Sequence, residues 1–474
     1  MVFSSLVFLC IFLPVVLILH TAIGNLKVKN GLLLVASLLF YAYGEPVYVF
    51  LMLLSALYNY VFALVIEKNH NKLVLAAAVA VNLGMLAVFK YTGFILTNVN
   101  TLLGVAIPVP AITLPIGISF FTFQAMSYVI DVYRDNVAAQ RSYAKVLLYI
   151  SFFPQLIAGP IVRYVDVARE IDERTVSLEK ITFGLRRFLV GLGKKVLISN
   201  AMAATADYIF NAGAANINIL AAWIGAIAYL MQIYYDFSGY SDMAIGLGKM
   251  FGFHFKENFN HPYVADTVQG FWRRWHMSLS TWFRDYVYIP LGGNRKGKFR
   301  TVLNRIIVFF LTGLWHGANW TFVVWGLFHG FFLLLEEFIP VIKKLPKVLR
   351  HIYTMLAVTV GFVVFRADTI REAGLFLGQM FGGFDFSAGA MSFAIQALSP
   401  YFLSMLVVAI LCCGPFEKLT AQVQSLETKE TLTQKENVVQ LLPLQVPFFC
   451  WCGASSGLLV AATTRLSTLD FKGG

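Results

Sequence analysis

The chain has 474 residues, of which 58% are hydrophobic and 15% aromatic, while only 13% are charged. Soluble globular domains carry about 25% charged residues, so this composition excludes a soluble enzyme, a disordered chain, a coiled coil and a disulfide scaffold. The mean hydropathy of +0.71 agrees with that conclusion. A membrane span needs about 20 apolar residues, so the length accommodates roughly ten to twelve spans with short loops.

The net charge of +12 comes from 37 Lys and Arg against 25 Asp and Glu. In a membrane protein such an excess is typical of cytoplasmic loops that face anionic lipid, so we expect membrane lipids and no nucleic acid as partners. No charged side chain precedes Lys27 and Lys29. The first segment is therefore predicted to be a retained span with its N-terminus outside the cell.

Uncharged apolar runs follow in series and predict the remaining helices. Gly31–Gly44 and Ile352–Phe365 are short for a span, whereas Tyr91–Ile130 is twice the needed length and is broken by prolines such as Pro115. Broken helices at membrane depth are tolerated where they are buried in protein or line a wet cavity. We therefore predict one all-α membrane domain over residues 1–474, built around an interior cavity. The other runs are Val47–Ile66, Leu73–Phe89, Val146–Val162, Tyr208–Tyr235, Ile306–Leu335, Phe386–Phe416 and Val439–Thr464.

Two polar blocks interrupt the apolar runs. Arg163–Lys195 contains eight basic residues (Lys or Arg) and five acidic ones (Asp or Glu). Lys249–Arg300 contains nine basic residues and three acidic ones. The second block is interleaved with Trp272, Trp275 and Trp282. Aromatic rings beside cations are typical of the membrane interface, and both blocks are predicted to face the cytoplasm.

Histidines at membrane depth are the first candidates for chemistry. His316 and His329 lie in the uncharged run Ile306–Leu335, where an ionisable side chain is costly and tends to face an interior or a polar pathway. A neutral imidazole there can act as a general base; the alternative is a histidine that only hydrogen-bonds between helices. Gly317 would allow a neighbouring group to approach the ring of His316 closely. On one continuous helix the two rings would lie about 20 Å apart, so they are poor candidates for a catalytic pair.

His276 is the third candidate, and it follows Arg273 and Arg274 in the second polar block. Read as a helix, residues 271–286 place Trp275, Leu279 and Trp282 on one stripe, so an interfacial amphipathic helix is an equally good interpretation. The two arginines are candidates for phosphate binding.

Several chemistries find no support in the sequence. No nucleophile elbow, HExxH, Walker A or dinucleotide fingerprint occurs, and no histidine stands at metal-ligand spacing from any of the five cysteines. We therefore expect no metal site and no bound cofactor. Asp207, Asp236 and Asp242 flank a long apolar run, whereas a proton-coupled transporter would want such carboxylates near mid-membrane.

Five ordered motifs give the chain a specific resemblance to the membrane-bound O-acyltransferase superfamily, in particular its alginate O-acetylase branch. The resemblance covers roughly residues 1–415. The motifs are Leu114-Pro115-Ile116-Gly117-Ile118-Ser119-Phe120-Phe121-Thr122-Phe123-Gln124, Phe152-Phe153-Pro154-Gln155-Leu156-Ile157-Ala158-Gly159-Pro160-Ile161, Asp236-Phe237-Ser238-Gly239-Tyr240-Ser241-Asp242-Met243-Ala244, the Trp275-His276 segment ending Pro290-Leu291-Gly292-Gly293-Asn294-Arg295, and Trp315-His316-Gly317.

The resemblance implies a multi-pass protein of the bacterial plasma membrane, with about ten to twelve transmembrane or re-entrant helices ringed around a central funnel. It implies that His316 is the catalytic histidine and His276 the second functional position. His329, Asn319, Trp315, Arg273 and Arg274 would support the site or bind substrate. The donor would be a cytoplasmic acyl thioester, acetyl-CoA or an acyl carrier protein, and the acceptor an exopolysaccharide reached through an extracytoplasmic acetyltransferase partner.

The C-terminus departs from the pattern of the family, because Glu417–Lys435 is polar and the end at Thr464–Gly474 is not an apolar helix with an aromatic tail. Two alternatives to polysaccharide O-acetylation remain at this point. One is a teichoic-acid D-alanyl transfer protein of the same superfamily, and the other is a transporter or flippase without covalent chemistry. Trp315-His316-Gly317 has no evident role in transport.

Overall fold

The computed structural model describes residues 1–414, and every regular element in that range is helical. The predicted all-α class is confirmed. The apolar run at Val439–Thr464 and the atypical C-terminus lie outside the described residues.

The helices of the first half include two long apolar ones and a group of short ones around them. In chain order they are α1 (Leu13–Ala22), α2 (Leu26–Ala42), α3 (Tyr48–Asn69), α4 (Lys72–Leu86), α5 (Thr92–Leu103), α6 (Ile118–Tyr133), α7 (Tyr143–Ser151), α8 (Tyr164–Asp172), α9 (Leu178–Gly193) and α10 (Asn200–Asn211).

The second half begins with the longest helix and contains the polar block around His276. Its helices are α11 (Ile219–Met250), α12 (Val268–Trp272), α13 (Met277–Phe283), α14 (Gly297–His316), α15 (Trp320–Phe338), α16 (Val341–Lys344), α17 (Lys347–Arg366), α18 (Ile370–Gly382), α19 (Ala388–Gln396) and α20 (Pro400–Cys412). Short π-helical turns cover Phe8–Phe12, Ala87–Tyr91, Lys194–Ser199 and Arg284–Tyr288, and 3₁₀ turns cover Ala214–Asn216 and Pro262–Val264.

Several helices are long and apolar enough to cross a membrane. Within residues 1–414 there are five by length and composition: α3, the continuous helix Lys72–Leu103, α11, α15 and α17. A sixth results if α19 and α20, which are bent by 60° at a short break, form one span. Several spans are thus present, while the larger number of ten to twelve and the funnel stay predictions.

The long run Tyr91–Ile130 is broken as its prolines predict, and the first part of the break is exposed. Residues 101–111 are exposed at the protein surface between α5 and α6. Proline lacks a backbone N–H, so this segment has fewer donors to satisfy. The Asn100 side chain donates to the Ile107 carbonyl at 2.8 Å and accepts from the Ile107 N–H at 2.9 Å, which holds the turn without any surrounding protein.

Helix α11 joins the two large apolar cores of the molecule. Its residues from Met243 to Met250 belong to the core that also contains residues of α2, α3, α6 and α7, and residues of its first half belong to the core that contains residues of α10, α17 and α18. A third, smaller cluster contains Phe123, Trp282 and Trp315. The cluster that includes Trp315 is where the candidate histidines meet.

Two glycine pairs set the close packing of α9 against α11. A Cβ on Gly184 would lie 2.5 Å from the Gly246 carbonyl oxygen, and one on Gly191 would lie 2.5 Å from that of Gly239. Both pairs are seven residues apart along their helices, which run antiparallel. Small residues are what allow helix backbones in membranes to approach so closely.

The two basic blocks contact each other at one face of the molecule. Arg163 pairs with Asp285 at 2.9 Å, and Lys256 pairs with Asp166 at 2.5 Å. Burial alone would raise the pKa of Asp166, but its hydrogen bonds with Arg163 and Lys256 outweigh burial and hold that pKa below its ordinary value. Ion pairs between the blocks place them on the same side of the protein.

Candidate active site

His316 is the last residue of α14, at the turn into α15. The helix ends there because Gly317 is extended, with φ −165° and ψ 155°, and because the Asn319 side chain caps α15 by accepting from the Thr321 N–H at 3.1 Å. A Cβ on Gly317 would lie 2.0 Å from Cε2 of Phe322. The Phe322 ring therefore occupies the space that a side chain at position 317 would need.

His276 reaches the same place from a break between two short helices. Its backbone is left-handed, with φ 43°, so residues 271–286 do not form the single helix that their pattern indicates. The chain at Asn258 causes the break: its carbonyl accepts from Met277 N–H at 2.9 Å, and its side chain accepts from the Ser278 hydroxyl at 2.8 Å. The backbone groups that would continue the helix are bound by this neighbouring segment instead.

The interpretation of this segment as an interfacial helix is also wrong. Trp275, Leu279 and Trp282 are 3%, 1% and 4% exposed. Trp275 packs on Phe362 of α17 and Trp282 stacks on Phe123 of α6, at centroid distances of 5.1 and 3.8 Å. The stripe is an interior surface between helices, because a helix pattern shows only that one face is buried and not whether lipid or protein buries it.

The rings of His276 and His316 face each other beside Trp315. Their centroids lie 6.4 Å apart, and the Trp315 ring lies 5.8 Å from the first and 5.0 Å from the second. The imidazole nitrogens are too far apart for a direct hydrogen bond. His276 is 1% exposed and neither of its nitrogens has a hydrogen-bond partner among residues 1–414, whereas His316 is only half-buried. Two imidazoles in this arrangement can act on one small group held between them.

His329 lies deeper and is separated from His316 by the Trp325 ring. The centroids of His316 and His329 lie 4.9 and 5.2 Å from that of Trp325. His329 is fully buried, and α17 passes so close that a Cβ on Gly361 would lie 2.7 Å from its Nε2. The two histidines occupy neighbouring helices and not one, and the Trp325 ring contacts both of them.

The remaining predicted site residues divide into two groups. Trp315 packs beside both histidines. Asn319 has a structural role, since its side chain caps α15 and donates to the Asp368 carbonyl at 2.8 Å. Arg274 donates to the Asn260 carbonyl at 3.0 Å, while Arg273 is exposed.

A cavity of about 660 Å³ opens beside His276. Asn260 and Met277, the residue that follows His276, line it, as do charged side chains of α9 and α11. Those charges are paired, because Asp242 accepts from Arg187 at 2.6 Å and from Lys194 at 2.7 Å. The cavity therefore has a charged, ion-paired wall on α9 and α11 and approaches His276 through its neighbour Met277.

Two residues near the site escape the sequence analysis. Lys90 divides two apolar runs, and its ammonium group donates to the Trp315 carbonyl. Glu336 is 2% exposed at the end of α15, and its carboxylate accepts from the first N–H groups of α12, those of Val268 at 2.5 Å and Gln269 at 3.0 Å. In both cases the available signal is an ionisable residue in an apolar run, which marks a functional or structural contact in a membrane protein. Among residues 1–414 no group of three or more His, Cys, Asp or Glu side chains is arranged to hold a metal ion.

Comparison with known sequences agrees with this geometry. The sequence model of the membrane-bound O-acyltransferase family matches residues 116–367, which run from the start of α6 to the end of α17 and include all three histidines. The chain therefore belongs to the membrane-bound O-acyltransferase family, and it is an acyltransferase.

Individual relatives show which members of the family this chain is most similar to in sequence among those compared. The chain is 42% identical over 427 residues to a probable alginate O-acetylase of Pseudomonas putida. The aligned region covers 88% of this chain and 87% of the relative. It is 36% identical over 422 residues to a peptidoglycan O-acetyltransferase of Helicobacter pylori, covering 81% and 80%. A teichoic acid D-alanyltransferase of Bacillus subtilis is 30% identical over 260 residues, covering 52% and 65%. The resemblance to the alginate O-acetylase branch is confirmed.

Proposed function

We propose that the protein transfers an acetyl group from a cytoplasmic thioester to a hydroxyl group on the outer side of the plasma membrane, for O-acetylation of an extracellular or cell-wall polysaccharide. The observation that carries the proposal is the placement of half-buried His316 opposite His276, whose neighbour Met277 lines a large cavity. Two relatives that match most of the chain are named as O-acetylating enzymes, of alginate and of peptidoglycan.

The chemistry requires one base and one group that stabilises negative charge. An imidazole nitrogen of His316 removes the proton of the acceptor hydroxyl while the oxygen attacks the thioester carbonyl carbon. The resulting oxyanion is stabilised by a hydrogen bond from His276, whose nitrogens have no partner in the described part of the chain. The C–S bond then breaks, the thiolate takes the proton from His316, and the O-acetyl ester leaves.

The donor is proposed to enter through the cavity beside Met277. A volume of about 660 Å³ fits an extended thioester arm, and ligand sites commonly span 300–1,000 Å³. Arg274 donates to the carbonyl of Asn260, which lines the cavity, and carries no ion pair within residues 1–414. It is therefore available to an anionic donor such as acetyl-CoA or an acyl carrier protein. The contact between the two basic blocks favours a common cytoplasmic position for them.

The acceptor side is proposed to depend on a second protein. The described residues form no soluble sugar-binding domain, so an extracytoplasmic acetyltransferase partner would carry the group to the polysaccharide. The family's ring of ten to twelve helices around a central funnel would provide the passage between the two faces. Of the alternatives, transport without covalent chemistry disagrees with membership of an acyltransferase family, and D-alanyl transfer is supported only by a relative matched over half the chain.

The test is the O-acetyl content of the polymer made by cells that depend on this chain, normalised to its amount by immunoblot. His316→Ala should lower acetylation by about 10²–10⁴-fold, which is the usual effect of losing a positioned acid–base group. His329→Ala should reduce it less and destabilise the protein more, and His70→Asn, at an exposed helix end, should change neither. Near-normal acetylation in His316→Ala would overturn the proposal.

A further inference from the structure

We propose that Lys90 is a positioning residue for the reaction, because it fixes the end of α14 on which His316 stands. This inference rests on the proposed role of His316. Lys90 lies in the continuous apolar helix Lys72–Leu103, where a charged side chain is expensive. Among residues 1–414 it forms no ion pair with any carboxylate.

The contacts of Lys90 are three oxygen atoms, which match the three protons of an ammonium group. Its Nζ donates to the carbonyls of Trp315 and His316, the second at 3.4 Å, and to the hydroxyl of Ser119 at 3.1 Å. Ser119 stands in the first turn of α6. One side chain therefore ties three helices together at the candidate site.

The last four carbonyl groups of α14 are all accounted for. A helix leaves these four groups without intrahelical partners, and in an apolar setting each unsatisfied group is costly. The Gly313 carbonyl accepts from Gly317 N–H at 3.3 Å, and that of Leu314 accepts from the Tyr91 hydroxyl at 2.6 Å. Lys90 satisfies the remaining two. Its positive charge also complements the negative end of the helix dipole.

A π-helical turn presents these two neighbouring residues to the same helix end. Residues Ala87–Tyr91 form that turn between α4 and α5. Single π-helical turns inside α-helices occur frequently at functional sites, because the wider turn changes the direction of successive side chains. In this protein the turn directs Lys90 and Tyr91 at one target, the residues Leu314 to His316.

The consequence for catalysis is geometric. His316 must hold its imidazole within hydrogen-bond reach of the acceptor hydroxyl, and a shift of about 1 Å in a catalytic group can cost about 10²-fold in rate. Without Lys90, the Trp315 and His316 carbonyls lose their donors, and the last turn of α14 is free to fray. Lys90 acts through His316 and does not itself contact substrate.

The experiment compares Lys90→Met, Lys90→Arg and Tyr91→Phe with wild type in the full chain. O-acetylation in cells is normalised to protein amount, and the melting temperature is measured on the purified proteins. We expect Lys90→Met to lose about 10²-fold of acetylation with at most a few degrees of melting temperature, Lys90→Arg to recover most of the activity, and Tyr91→Phe to lose about fivefold. Lys68→Met, at the exposed end of α3, is the matched control and should behave as wild type.

Three results would overturn this inference. They are normal acetylation in Lys90→Met, a loss that merely follows a large fall in melting temperature, and equal inactivity of Lys90→Met and Lys90→Arg with unchanged melting temperatures. His316→Ala, measured in the same host, separates the two claims. If it retains activity, the proposed function fails; if only His316→Ala is inactive, the role of Lys90 fails alone.

Discussion

Gly326 on α15 provides a test of how strictly the helix pairing positions the site. A Cβ added there would lie 2.3 Å from the Phe309 carbonyl oxygen on α14, whereas ordinary contacts begin at 3.4 Å. Gly326→Ala must therefore move α15 away from α14 by about 1 Å. The Phe309 oxygen belongs to the backbone and cannot rotate away. The strain is therefore transmitted along the α14–α15 hairpin, whose turn begins at His316.

Two effects of Gly326→Ala follow from that displacement. Overpacking of a close contact costs about 1–3 kcal/mol of the free energy of unfolding, which should lower the melting temperature by a few degrees. A displacement of His316 of up to 1 Å should lower O-acetylation per molecule by about 10–100-fold. The assay is polymer O-acetyl content in cells together with thermal unfolding of the purified protein.

Gly84→Ala is the control for this experiment, because Gly84 lies in α4 and the added Cβ would have no atom of another helix within 4 Å among residues 1–414. It should leave both quantities unchanged or stabilise the helix slightly. Full acetylation and an unchanged melting temperature in Gly326→Ala would show that α14 and α15 are not packed as described, and the placement of His316 would then have to be revised.

Three further predictions follow from other contacts. Glu336→Gln removes the carboxylate that caps α12, so it should cost about 1–3 kcal/mol of the free energy of unfolding and part of the acetylation. Its control is Glu337→Gln, in a partly exposed ion pair, which should cost less than about 1 kcal/mol. Equal melting temperatures for the two variants would contradict the capping. Gly191→Ala should destabilise the contact between α9 and α11 and lower the melting temperature. Gly193→Ala is the control and should leave the melting temperature unchanged, because no atom of another helix in residues 1–414 lies within 4 Å of the added Cβ. A larger fall for Gly193→Ala than for Gly191→Ala would refute the glycine packing. In a variant without native cysteines, Lys298→Cys should react with a membrane-impermeant maleimide only after the membrane is opened, and labelling in intact cells would place the second basic block outside.

The elements that the sequence predicts well are those decided by local pattern. The run Val47–Ile66 predicts α3 closely, because a long uncharged run has few alternatives to a membrane helix. The runs Tyr208–Tyr235 and Ile306–Leu335 also predict helices, but each contains a break, between α10 and α11 and between α14 and α15. The candidate base is predictable for the same reason, since His316 is one of two ionisable side chains in Ile306–Leu335. The functional ranking of His316 over His329 came from the resemblance to the family, and the fully buried, aromatic environment of His329 agrees with it.

The parts that could not be predicted depend on contacts between distant segments. The break at His276 is produced by Asn258, 18 residues earlier in the chain, and no local pattern shows that its backbone and side chain take the place of helix hydrogen bonds. Lys90 lies more than 220 residues from the carbonyls that it binds. An apolar stripe such as Trp275–Leu279–Trp282 shows that one face is buried, but not whether lipid or protein covers it. The sequence alone therefore allows an interfacial helix where the structure has an interior surface.

The most direct measurement of the central claim is transfer of label across the membrane in inverted vesicles from cells that contain this chain and its partner. The cytoplasmic face of such vesicles is turned outward, so [¹⁴C]acetyl-CoA added outside has access only to that face. We predict alkali-labile label on the polymer inside wild-type vesicles and none above background inside vesicles with His316→Ala. Label inside His316→Ala vesicles at the wild-type rate, or label in wild-type vesicles only after they are opened, would contradict a His316-dependent transfer of the acetyl group across the membrane.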